Sequence, residues 1–136
     1  MRAPTRPLLA VLLLLCPGCT PAPLACKPPS TSGMTAQLLF GRSSKGGLIS
    51  NAAWADFLAS VVTPRFPDGL TVLDGYGQWR NPGTGEISHE ASTLVEIVAS
   101  DTPDTATKLN QIRDAYKTRF AQQSVGLVTT PSCAAF

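Results

Sequence analysis

Histidine is almost missing from this chain: His89 is the only one. Zinc sites built on paired histidines are therefore excluded. Charge is also sparse, at 15% of residues, and no basic run exceeds two residues. Nucleic-acid binding needs a concentrated positive footprint, so no nucleic-acid partner is expected. Long apolar runs are lacking too. The stretch Leu8–Leu15 is apolar for eight residues, too short to cross a bilayer as a helix, and no later segment is longer. The chain holds no Gly-x-Ser-x-Gly elbow, no P-loop and no internal repeat, which removes the commonest serine-hydrolase and nucleotide-binding signatures. No cofactor, metal or catalytic residue is expected from what remains.

What is present begins with an export signal. Arg2 and Arg6 precede the Leu8–Leu15 run, which ends at Cys16-Pro17-Gly18-Cys19. That order suits a secretory signal. Gly18-Cys19 resembles a bacterial lipobox, although Cys16 stands where leucine is usual. Residues 1–18 are read as a lipoprotein-type signal peptide, with Cys19 lipidated and each buried methylene of the lipid contributing about 0.8 kcal/mol of anchoring. The alternatives are lipidation at Cys26 and ordinary cleavage near Ala25. Thr20, rather than aspartate, after Cys19 favours the outer over the inner membrane, facing the periplasm. Without Arg2 and Arg6 the Lys+Arg count falls from 11 to 9, equal to the Asp+Glu count. Cys26 and Cys133 then remain at opposite ends of the mature chain. In an oxidising envelope they are expected to pair; the alternative is free thiols.

Residues 19–33, rich in Pro, Ser and Thr, read as a tether, and residues 34–136 as one domain. Ala36, Leu38 and Phe40 alternate as in a strand over Met34–Arg42. Ser43–Leu48 is a loop. Ser50 caps a helix whose Trp54, Phe57, Leu58, Val61 and Val62 share one face, with Pro64 beyond its end. Leu70–Arg80 is a strand in which Gly75 and Gly77 signal a bulge or a close backbone approach. Pro82-Gly83 turns the chain into a strand over Ile87–Ala99. Thr102-Pro103-Asp104 starts a helix carrying Leu109, Ile112, Tyr116 and Phe120 on its apolar face. Val125–Thr130 is the last strand. Strand, helix, strand, strand, helix, strand is the βαββαβ order of an α+β, ferredoxin-like fold. A four-stranded antiparallel sheet would carry both helices on one face and leave the other open.

The segments F-G-R at Phe40–Arg42, T-P-R-F-P-D-G-L-T-V-L-D-G at Thr63–Gly75, G-Q-W-R at Gly77–Arg80 and I-R-D-A-Y-K-T-R-F at Ile112–Phe120 resemble a family of small bacterial secreted lipoproteins of unknown function. The C-terminal Q-Q-S-V and P-S-C-A-A-F segments fit it as well. The resemblance implies a lipid-bearing cysteine and a compact α+β domain, and supplies no catalytic residue.

Within the Thr63–Arg80 stretch, Arg65 and Asp68 read either as an anion-binding arginine positioned by a carboxylate or as a structural pair fixing the turn. Tyr76, Gln78 and Arg80 share one face of their strand and read as an interface on the open sheet face; Trp79 points the other way and is a core candidate. Asp74 is expected to pair with Arg42, Arg80 or backbone. His89 and Glu90 are neighbours on a strand and point to opposite faces, so they do not form an acid–base pair. The expectation is a non-catalytic envelope module, bound to membrane through its lipid. It would engage an envelope protein or a second copy of itself through the open sheet face or the Thr63–Arg80 segment. The alternative is a small envelope enzyme with its site in that segment.

Overall fold

The computed structural model describes residues 25–44 and 46–136. The expected signal peptide, the lipidation site Cys19 and the tether up to residue 24 lie outside the described residues.

The central strand β1 (Thr31–Gly41) buries Met34, Ala36, Leu38 and Phe40 on alternate positions, the period of a strand covered on one face. It begins before Met34, inside the stretch expected as tether, because Thr31–Gly33 extend the ladder with the C-terminal strand. The expected loop after it holds a short ladder of β2 (Ser43–Ser44) and β3 (Gly47–Leu48). Ser50 caps α1 (Asn51–Phe57), its Oγ accepting from the Ala53 amide at 3.1 Å. The helix widens into a π-helical turn over Leu58–Val62, where the Thr63 amide reaches back to the Leu58 carbonyl. That i→i+5 bond explains why Phe57 and Val62, five apart, are both fully buried.

Strand β4 (Thr71–Arg80) pairs with β5 (Ile87–Ala99) in an unbroken register from Thr71↔Glu96 to Arg80↔Ile87. No bulge interrupts it, and a side-chain carbon at Gly75 or Gly77 would come no nearer than 3.4 Å to its neighbours, so neither the expected bulge nor a close backbone approach is found there. Helix α2 (Pro103–Phe120) is capped by Thr102 Oγ1, and β6 (Gly126–Ala134) closes the chain, running past the expected Thr130. The sheet order is β4-β5-β1-β6, all antiparallel. This is the expected α+β, ferredoxin-like arrangement.

Both helices pack on the Phe40 face of the sheet. Phe40, Trp54, Phe57, Tyr116 and Phe120 interlock with ring centroids 4.7 to 6.1 Å apart, mostly edge to face as ring quadrupoles favour. Cys26 and Cys133 are bridged, with Cα atoms 5.5 Å apart. The bridge lies beside the Ser32↔Cys133 end of the β1–β6 ladder.

Candidate functional site

Strand pairing decides which side chains share a face, because directly opposed residues point the same way. Asp74 opposes Thr93, which opposes Phe40, so Asp74 is on the helix side. Tyr76, Gln78 and Arg80 follow it at alternate positions. They therefore occupy the helix-bearing side rather than the open sheet face where they were expected as an interface. They sit on the distal part of the β4–β5 hairpin, past the helices, and Tyr76 is 96% exposed. Arg80 is held by the hairpin itself, its Nε directed at the Gly85 carbonyl at 3.4 Å. Trp79 is on the open face and 46% exposed, so it is not a core residue. His89 is exposed and opposes Gln78, while Glu90 opposes Gly77 on the other face.

The structure does not bring Arg65 to Asp68. Arg65 Nη1 donates to the Val61 carbonyl at 2.7 Å and its Nε to Gln111 Oε1 at 3.1 Å. It ties the end of the first helical segment to α2. Asp68 lines a separate cleft of about 530 Å³ between the start of β4 and the C-terminus.

Asp74 meets Arg42, as one of its expected partners. The guanidinium is buried, donates to Thr93 Oγ1 at 3.1 Å, the Ile49 carbonyl at 3.0 Å and Asn51 Oδ1 at 3.1 Å, and lies 5.1 Å from the Trp54 ring centroid. Thr93 Oγ1 in turn donates to Asp74 Oδ1 at 2.9 Å, and the Arg42–Asp74 separation is 3.9 Å. Arg42 therefore joins the end of β1, the start of α1 and β4 through a buried cation that is hydrogen-bonded rather than open to a ligand. Next to it Tyr116 Oη donates to the Gly41 carbonyl at 2.7 Å. Burial pushes the phenol up to about 12; Arg42 opposes that shift and Glu90 adds to it.

The open face has a different character. Leu73, Leu94 and Leu39 are opposed in one row across three strands, and Val128 lies in the next row beside Gln37. Leu39 is 44%, Leu73 55% and Val128 49% exposed. A solvated sheet face normally alternates to polar residues, so this apolar row is unusual. Beyond the row, past the end of β1, lies a cleft of about 970 Å³ that takes Leu39, Gly41, Gly77, Trp79 and Glu90 from the open face and Tyr76 and Gln78 from the helix-bearing face. Its far wall is the segment after α2, where Gln122 Nε2 donates to the Ser43 carbonyl.

Nothing next to Glu90 in the sequence marks it, since its neighbour His89 points to the other face. The signal that finds it is cross-strand: Gly77 opposes it on β4, and Gly41 lies beside it on β1. Among the described residues no group of three or more His, Cys, Asp or Glu is placed to hold a metal ion, and no helix is long and apolar enough to cross a membrane.

A phage SAM lyase solved in complex with S-methyl-5'-thioadenosine shares this backbone arrangement, with a TM-score of 0.61 and 14% identity over 76% of this chain and 90% of that one. The same phage enzyme in its apo state gives a TM-score of 0.57 at 14% identity, covering 79% of this chain and 87% of that one. At such identity the likeness is one of fold. No curated protein matches the chain. A family model described as "Protein of unknown function (DUF3574)" matches residues 35–136.

Proposed function

Because the chain belongs to this DUF3574 family, whose description names no activity, we propose from its own geometry that it is a non-catalytic binding module of the bacterial cell envelope. The module docks a protein partner, or a second copy of itself, against the open face of its sheet. The observation that carries this reading is the Leu73–Leu94–Leu39 row with Val128 beside it, on a face that neither helix covers, where Leu73, Leu39 and Val128 are about half-exposed and Leu94 is partly buried. Contiguous apolar surface of this kind marks interaction sites, and its burial contributes about 25 cal/mol per Å².

Export and anchoring complete the proposal. The Cys26–Cys133 bridge fits an oxidising compartment and occupies the Cys26 thiol, which favours Cys19 as the lipidated residue. Thr20 after Cys19 supports the outer membrane, with the domain facing the periplasm. The enzyme reading of the Thr63–Arg80 segment has less support. Its polar groups do not meet in one place: Arg65 is turned to α2, Asp74 to Arg42 and Arg80 to the hairpin turn, while Tyr76 and Gln78 line the cleft that also holds Glu90.

Sedimentation of the full-length chain in detergent, with photo-crosslinkers at positions 39 and 73 in cells, tests the face. Concentration-dependent mass or a specific crosslinked band is expected, and Leu73→Glu should remove either one without unfolding the domain. A chain that stays monomeric and crosslinks to nothing at both positions rules the docking face out. The phage lyase's reaction is not carried over: the shared feature is the fold.

A further inference from the structure

Two carboxylates, Glu86 and Glu90, line the cleft beyond the end of β1, and its described lining residues include no Lys, Arg or His. Glu86 is held in the hairpin turn, its Oε2 accepting from Thr84 Oγ1 at 3.3 Å. Glu90 is placed differently. A side-chain carbon at Gly41 would stand 3.0 Å from both of its carboxylate oxygens, so the carboxylate lies across the position that a residue other than glycine would fill. It is partly buried. The ion pairs among the described residues are Arg42–Asp74, Lys108–Asp104, Lys117–Asp114 and Arg119–Asp56, and Glu90 is in none of them. The half-exposed indole of Trp79 lines the same cleft.

A carboxylate with no cationic partner among the described residues, next to an aromatic face in a concave site, is the combination that recognises an organic cation. We infer that the cleft binds a small alkylammonium compound, its charge held by Glu90 and its alkyl groups against Trp79. An anionic ligand would meet the carboxylates with no counter-charge on the described walls. The inference deepens the open-face reading and rests on it, since Trp79 and Glu90 reach the cleft from that face.

The test uses choline and its uncharged isostere 3,3-dimethyl-1-butanol, which differ in charge and little in shape. Each is titrated into the full-length chain in detergent while the indole signals of Trp79 and Trp54 are followed by NMR. Saturable choline binding sensed by Trp79 is expected, with the neutral isostere at least tenfold weaker. Glu90→Gln should abolish that difference. Gly41→Ala keeps the charge and displaces the carboxylate, so it should weaken choline several-fold, with circular dichroism checking that the fold is intact. Equal binding of choline and the isostere overturns the inference, as does failure of choline to saturate. Sedimentation of the same samples reads association separately. Loss of the cation site with association retained removes this inference alone, whereas loss of both removes the face.

Discussion

Tyr116 shows how one side chain ties burial to pH. It is fully buried in the aromatic cluster, and its hydroxyl donates to the Gly41 carbonyl. Burial disfavours the phenolate, so the folded protein holds the proton up to about 12, above the ordinary value of 10.0. Below pH 10 both folded and unfolded chains keep the proton and the contribution is complete. Between about pH 10 and 12 the unfolded chain releases it first, and stability falls with a slope approaching about 1.4 kcal/mol per pH unit. Urea unfolding across that range should show the decline. Tyr116→Phe should remove it and cost about 1 kcal/mol at neutral pH for the lost hydrogen bond. An unchanged alkaline limb in the variant would assign the decline to other groups. Arg42 lives at the same scale: three hydrogen bonds from its Nη atoms and the Trp54 ring oppose the desolvation of its charge, while its buried Nε finds no hydrogen-bond partner among the described residues.

Among the elements, β1 and the distal β4–β5 hairpin are opposites. Between Met34 and Leu39, β1 is paired on both sides, with β5 and with β6, and its inward residues are the centre of the core. From Gly77 to Ser88 the hairpin is only two strands wide and carries mostly exposed side chains on both faces. Local opening is cheapest where few apolar contacts are lost. Hydrogen exchange should therefore find the slowest amides at Ala36–Leu39 and the fastest ladder amides at Gly77–Arg80. Comparable protection in the two would mean that the hairpin is covered, which bears on the docking face beside it.

The whole molecule is closed by its ends. The Cys26–Cys133 bridge spans 107 residues, so its loss frees nearly the entire described chain in the unfolded state. The chain-entropy model assigns roughly 4–5 kcal/mol to a loop of that size. Cys133→Ser should lower unfolding stability by about that amount in guanidinium, a large share of what a domain this small has. A change under about 1 kcal/mol would mean that the β1–β6 ladder alone holds the ends together.

By itself the sequence determined the features that depend on neighbours along the chain. Alternation marked Ala36, Leu38 and Phe40, helical spacing marked Trp54, Phe57 and Val62, and the caps at Ser50 and Thr102 formed as their residue types dictate. Element order was enough for the ferredoxin-like fold, since few topologies accommodate it, and cysteine position with the expected export pointed to the disulfide without excluding free thiols. Only the tertiary structure decided what depends on register and on which face the helices cover. Arg42 finds Thr93 across 51 residues and Tyr116 finds Gly41 across 75. Strand alternation correctly put Tyr76, Gln78 and Arg80 together, but a strand's period of two does not say which of its faces is outside. The same ambiguity hid Glu90. Its place over Gly41 arises from the register of β5 against β1, a long-range choice set by the packed core rather than by any local residue pattern.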